Sequence, residues 1–427
     1  MGTGRREHPD GHIFLRRESR VRSYCRHYDA VFDTARGSLI WDTEGREYLD
    51  FLAGAGSLNY GHNDPDMAAA LIAHIQLGGI AHGLDLHTRP KQAFLETFEE
   101  VILAPRGLPY RVQFTGPTGA NAVEAGLKLA RRVTGRRNVI AFTNAFHGVS
   151  QGALAATGNG QHRMGSTLSL PDITRLPYDG YLGGLDTAEL LDHLLTDPSS
   201  GVDAPAAILL ETVQGEGGLN VASGTWLRRV AAIARSCGAL LVVDDIQAGC
   251  GRTGTFFSFE GSGVVPDLVT LSKSISGFGL PMALLLISPE WDLWRPGEHN
   301  GTFRGNAHAF VTGRVALQKF WAEGRLEREM TRSIALLADR LERIANHVPG
   351  ARTKGRGMFQ GLDVGTADTA AEICRRSARA GLLIETAGPN DEVIKVMAPL
   401  TTPESLLNRG LDILEESVAA RLPAAAL

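Results

Sequence analysis

Cysteine is scarce in this sequence. Its four residues, Cys25, Cys237, Cys250 and Cys374, stand far apart with no CxxC pair. That spacing argues against a disulfide framework or a cysteine zinc site, and leads us to expect reduced thiols in a cytoplasmic protein. Charge of one sign is lacking too. A formal net charge of −4 supplies neither the basic face that nucleic acid requires nor a polybasic patch for a membrane surface. No apolar run approaches the ~18 residues of a membrane span, and the opening MGTGRREHPDGH is too polar for a secretory signal. Metal-ligand spacings are missing as well, so no metal site is expected.

What the chain does have is size and apolar content. With 427 residues, 43% hydrophobic and 21% charged, it can bury a sizeable core, divided into two domains or one large domain with an appendage. Leu39–Leu52 carries two apolar runs about a turn at Asp42–Gly45 and reads as a hairpin. Apolar runs at Val139–Phe142, Ala206–Leu210, Ala239–Val243 and Leu268–Leu271 alternate with amphipathic stretches such as Trp226–Ala234. This alternation, from about residue 112 to 290, predicts a mainly parallel sheet covered by helices on both faces. Residues 151–184 read as loop-rich. After a long amphipathic helix from Leu326, the pattern gives strands at Met358–Val364, Leu382–Thr386 and Glu392–Ala398, then a helix capped by Thr402 with Pro403 at its first position. We therefore expect an N-terminal segment (1–55) packing with a smaller α/β domain (325–427), beside a large domain (56–324).

The chemistry gathers where strands end. ALLVVDDIQAGCGRTG (239–254) runs from an apolar strand into Asp244 and Asp245, and LVTLSKSISGFG (268–279) runs into Lys273. Open α/β sheets place ligands at such strand ends. A carboxylate and an amine held together this way suit pyridoxal phosphate, which needs a lysine for its Schiff base and an acid to keep the pyridine nitrogen protonated. Other strand ends add Phe146-His147-Gly148 and Glu211 with Gln214. An aromatic beside glycine can stack on a flat ring, though taken alone Phe146 more often reads as core and His147 as a satisfied or surface histidine. Finally, FTGPTGANAVEAGLKLARRVTG (114–135) has a glycine loop, Thr118 as N-cap and a helix, a ready anion site. No GK[ST] follows it, so it is not a nucleotide-binding P-loop.

Taken together and in this order, DDIQAGCGRTG and LSKSISGFG resemble the class III aminotransferases, pyridoxal-phosphate enzymes of fold type I. The resemblance implies that Lys273 carries the cofactor and moves the substrate proton. It further implies that Asp244 pairs with the pyridinium, that Gln247 bonds the ring hydroxyl, and that Ile246 and Phe146 sandwich the ring. Gly119 and Ala120 would bind the phosphate through backbone N–H groups, Glu211 would border the cofactor, and Thr302 would reach the phosphate of a neighbouring subunit. A homodimer, or a larger homo-oligomer, belongs to that expectation.

Three departures stand out. Ala120-Asn121 replaces a hydroxyl residue and an acid, Asp245 stands where glutamate is frequent, and Lys395 in VIKVMAPL stands where many relatives place an arginine for the substrate carboxylate. A lysine cannot form the bidentate fork. The segments FLAGAGSLNYGHNDP (51–65), 94–148 and PGEHNGTFRGNAHAFVT (296–312) are similar to the diaminobutyrate–2-oxoglutarate aminotransferases of the ectoine pathway. That closer likeness implies small amino-acid and oxo-acid substrates, glutamate and aspartate 4-semialdehyde. The wider family, where the acid of QGE gates the arginine, implies a Glu216–Lys395 pair that closes for diaminobutyrate and opens for glutamate, against the alternative of Lys395 as a surface strand lysine. Ornithine or 4-aminobutyrate transamination, a racemase, an aminomutase and a non-catalytic binding protein of the same fold are the alternative readings.

Overall fold

The computed structural model describes residues 11–28, 30–164 and 169–420. Its centre is a seven-stranded sheet in the order Arg111–Phe114, Leu284–Ile287, Leu268–Leu271, Leu240–Asp244, Ala207–Leu210, Val139–Phe142, Ile173–Leu176. Only Leu284–Ile287 runs against the rest, pairing antiparallel with both of its neighbours. Successive residues of a strand point to opposite faces, and the core divides accordingly. Leu241 and Val243 join one apolar cluster with Trp226 and Val230 of the Gly224–Cys237 helix; Leu240 and Val242 join another with Val123 and Leu127 of the Gly119–Thr134 helix. Both faces are thus covered, which is why these strands read as unbroken apolar runs.

The end of the chain builds a second sheet in the order Arg352–Arg356, Phe359–Asp363, Val393–Val396, Glu385–Ala387, antiparallel throughout. The Arg325–Asn346 helix packs on its first two strands, and the Ala367–Arg379 helix on the other two. A third sheet joins the two ends of the chain. Phe32–Arg36, Leu39–Asp42 and Glu47–Asp50 form an antiparallel meander, and Leu382–Leu383 pairs in parallel with Leu49–Asp50. The hairpin turn forms at Asp42–Gly45, where Gly45 (φ 78°) donates to the Asp42 carbonyl.

Several local expectations need correction. Residues 151–184 are loop-rich, as expected, but they also hold the edge strand Ile173–Leu176 and short helices at Gln151–Ala156 and Gly160–Arg163. Leu382–Thr386 is not one strand: its first two residues pair in the N-terminal sheet and Glu385–Ala387 pairs with Val393–Lys395. The apolar run Met282–Ile287 reads as strand along its whole length, but the strand begins at Leu284. The last helix begins at Glu404 with Pro403 as its N-cap, and the Thr402 hydroxyl bonds the Pro399 carbonyl and Ser38 instead. Among the elements not read from the sequence are the Ala307–Ala316 helix and the strands Phe32–Arg36 and Arg352–Arg356.

Candidate active site

Strands Val139–Phe142, Ala207–Leu210, Leu240–Asp244 and Leu268–Leu271 are mutually parallel, so their C-terminal ends open on one edge of the sheet. Phe146, Glu211, Asp244 and Lys273 sit at or just beyond those four ends. They line one cavity with Gly119, Ala120, Glu216, Ile246 and Gln247. Lys395 lies fully buried behind Glu216. Thr302 is the exception: it is exposed, outside the cavity.

Lys273 adopts φ 52°, a conformation that costs a non-glycine residue energy and persists only where surroundings impose it. Its Nζ donates to the Ala55 carbonyl at 2.6 Å. Burial pushes its pKa down to about 8 with help from the Lys395 charge, although Glu216 opposes the shift. An amine in that range has a sizeable neutral fraction near neutral pH, as a nucleophile or base must.

Asp244 receives three partners. Thr270 Oγ1 and the Ile246 amide donate to Oδ1 at 3.1 and 3.2 Å, and His147 Nδ1 meets Oδ2 at 2.7 Å. Burial penalises the charged His147 ring, but the hydrogen bond and charge of Asp244 outweigh it and raise the histidine's pKa. The opposite ring nitrogen, Nε2, is buried without a partner. Beside them, Glu211 accepts from the Phe146 and Gly215 amides at 3.0 and 3.4 Å. Burial raises its pKa to about 8 despite His147, so this carboxyl is largely protonated at neutral pH.

The Gly119–Thr134 helix points its first turn at the cavity, and its leading amides have no acceptor within the helix. Small residues keep that corner open. A Cβ on Gly119 would lie 2.8 Å from Ile246 Cδ1, and one on Gly148 (φ 126°) 2.8 Å from Ala120 Cβ.

Across the cavity, Gln247 Nε2 donates to the Ala55 carbonyl and to Glu216 Oε1, at 3.1 and 3.0 Å. Lys395 Nζ meets Glu216 Oε1 at 2.8 Å and Glu385 Oε1 at 3.1 Å. Burial alone would raise both carboxyls. Lys395 overcomes it at Glu216, whose pKa falls; at Glu385 burial prevails and the pKa rises.

Two residues here were missed in the sequence. His147 was visible in the Phe-His-Gly motif, but nothing local distinguishes a histidine that meets Asp244 from a surface one. Glu385 gave no signal, because its meeting with Lys395 arises from cross-strand register.

These residues fit pyridoxal phosphate. A lysine of depressed pKa, a carboxylate fixed by three partners, apolar side chains at Ile246 and Phe146 and a helix N-terminus match its aldehyde, ring nitrogen, ring faces and phosphate respectively. Among the described residues no cluster of histidine, cysteine, aspartate or glutamate is arranged for a metal ion, and no helix is long and apolar enough to cross a membrane.

Known proteins resemble nearly the full length of the chain. Residues 23–418 match the aminotransferase class-III family. A Vibrio cholerae protein named diaminobutyrate–2-oxoglutarate transaminase is 56% identical, with 94% of this chain and 98% of that one covered. A Bordetella parapertussis protein of the same name is 52% identical over 96% and 95%. Among solved structures, the Toxoplasma gondii ornithine aminotransferase, described with partial occupancy of pyridoxal phosphate at its active site, superposes with a TM-score of 0.83. It is 26% identical, with 96% of this chain and 94% of that chain covered. A lysine and a carboxylate at adjacent strand ends, on a fold shared with such enzymes, place this chain among the class III aminotransferases.

Proposed function

We propose that the protein transfers the amino group of L-glutamate to L-aspartate 4-semialdehyde, giving L-2,4-diaminobutyrate and 2-oxoglutarate, reversibly. The observation that carries this reading is the 56% identity, across nearly the full length of both chains, to the Vibrio cholerae protein of that name. The local chemistry supports it, because the cavity joins an amine of lowered pKa to a buried lysine–carboxylate pair suited to a second charged group on the substrate.

Bound pyridoxal phosphate supplies the electron sink and the amino-group carrier. Lys273 holds it and, when free as an amine, moves a proton at the substrate carbon. Asp244, supported by His147, keeps the ring nitrogen protonated. Ile246 and Phe146 would bracket the ring, Gln247 would reach the ring hydroxyl, and Glu211 would border the cofactor on its buried side. Gly119 and Ala120 bind the phosphate through backbone N–H groups, where Ala120 offers no hydroxyl. The Glu216–Lys395 pair stays closed for diaminobutyrate and opens when the second carboxylate of glutamate competes for the lysine.

A homodimer belongs to the same reading. Ile72, Ile75, Leu77, Ile80, Leu84, Leu86 and Phe303 are all exposed on or near the 72–86 segment, and His82 packs edge-on against Phe303. Exposed apolar residues in such number mark an interface, and it would carry Thr302 towards a neighbouring phosphate. A monomer in sedimentation would remove that role. A cytoplasmic location and supply of diaminobutyrate to ectoine are the further parts of the proposal. An extract that makes ectoine normally after deletion of the gene would rule out the latter.

Purified protein given glutamate and aspartate 4-semialdehyde should form diaminobutyrate and 2-oxoglutarate in equal amounts. Preference for ornithine or 4-aminobutyrate as donor, or turnover that needs no oxo acid, would overturn the reading in favour of another class III reaction.

A further inference from the structure

Two carboxyl groups face the single ammonium of the lysine behind the cavity. Glu385 and Lys395 are directly opposed across adjacent antiparallel strands, so their side chains leave the sheet on the same face. Glu216 reaches the same ammonium from the loop beyond Gln214, held there by a backbone bond from the Gly388 amide to its carbonyl. Two carboxylates thus share one cation, and the group carries a net charge of −1 when all three are ionised.

The two acids are not equivalent. Glu216 accepts hydrogen bonds from both Lys395 and Gln247. Glu385 meets Lys395 as an ion pair at 3.1 Å, yet its Oε1 is buried without an aligned hydrogen bond. A buried carboxylate oxygen in that state is costly and favours a further donor. Glu216 and Glu385 together wall an outer chamber, bounded by Tyr24 and Tyr28 of the N-terminal segment and by Cys374, and Glu216 also walls the inner cavity of Lys273. Glu216 is therefore the side chain common to the two cavities.

We propose that Glu385 is the specificity residue for the second, non-reacting ammonium of a diamino acid, receiving it as a charge-assisted hydrogen bond while Glu216 stays paired with Lys395. Such an ammonium neutralises the surplus charge, which an uncharged or anionic group cannot do. Glutamate has no second ammonium; its distal carboxylate is drawn to Lys395 and gains nothing from Glu385. One lysine with two unequal acids thereby distinguishes the two amino donors of a single cavity. This inference rests on the proposed use of diaminobutyrate.

The test compares two donors that differ only by the α-amino group, L-2,4-diaminobutyrate and 4-aminobutyrate, with glutamate as control. Wild-type, Glu385→Gln and Glu385→Asp holoenzymes are measured in single half-reactions followed by cofactor absorbance, with KM and kcat resolved. In Glu385→Gln, kcat/KM for diaminobutyrate should fall about 10- to 100-fold, the usual worth of a hydrogen bond to a charged group. The loss should lie mostly in KM, and the preference over 4-aminobutyrate should shrink with it. Glutamate should lose nothing and should gain, because Glu385→Gln removes one of the two counter-charges of Lys395. Its retained turnover also shows that the variant is folded and loaded, and Glu385→Asp should restore part of the preference. Equal losses for all three donors, or none, would overturn the inference, since a purely structural counter-charge for Lys395 would treat the donors alike. A wild-type enzyme that does not use diaminobutyrate would overturn the functional reading and this inference together.

Discussion

Glu211 shows most plainly how a strand end becomes chemistry. It follows the fully buried strand Ala207–Leu210, and burial lifts its pKa from 4.5 to about 8. The folded state therefore binds a proton that the unfolded state has lost, over the window from pH 4.5 to 8. Stability from this group is fully present below about pH 4.5 and is lost as pH rises through 8. Glu211→Gln should flatten that part of the profile, by a few kcal/mol at most, in urea unfolding between pH 5 and 8.5. Parallel profiles would show that the carboxyl is ionised in the folded protein. Charges that end an apolar run, such as Glu211, Asp244 and Lys273, stand out in a sequence because the contrast is local. Lys395 was open to misreading, because a lysine in a strand is ordinarily at the surface. Its burial depends on Glu216, 179 residues away, and on Glu385, and no window of sequence contains both.

At the scale of elements, the loop-to-helix corner around Gly119 is the least tolerant part of the site. Gly148→Val would set a side chain at φ 126° with its Cβ 2.8 Å from Ala120 Cβ, on the rim where the phosphate is expected. We expect roughly 1–3 kcal/mol of destabilisation, typical of overpacking, and at least a tenfold weaker cofactor dissociation constant by absorbance titration of the apoprotein. Unchanged affinity would move the phosphate elsewhere. The Gly119–Thr134 helix was legible because Thr118, the apolar stripe and Gly135 agree on its limits. Ile173–Leu176 escaped notice for the converse reason. It is a four-residue edge strand, only half buried and paired on one side. Arg352–Arg356 reads RTKGR, with no apolar alternation, and is a strand only because Phe359–Asp363 pairs with it.

Across the whole molecule, what matters is how distant segments are tied around the cavity. Leu382–Leu383 closes the N-terminal sheet, and the chain then crosses into the C-terminal sheet at Glu385. One crossing thereby links the segment bearing Tyr24, Asp50 and Ala55 to the strand that holds Lys395. The parallel central sheet was evident from alternating apolar runs, whereas this crossing was not. A run of LLIET looks like one strand, and it is divided only because Leu382–Leu383 pairs with Leu49–Asp50 while Glu385 pairs with Lys395. The central claim, that Lys273 holds the cofactor that accepts and returns the amino group, is tested most directly by visible absorption of the purified protein. Wild type should show the band of lysine-bound pyridoxal phosphate, shifting on addition of glutamate or of diaminobutyrate, whereas Lys273→Ala should lack that band and turn over neither donor. An unchanged band and preserved turnover in Lys273→Ala would contradict the assignment.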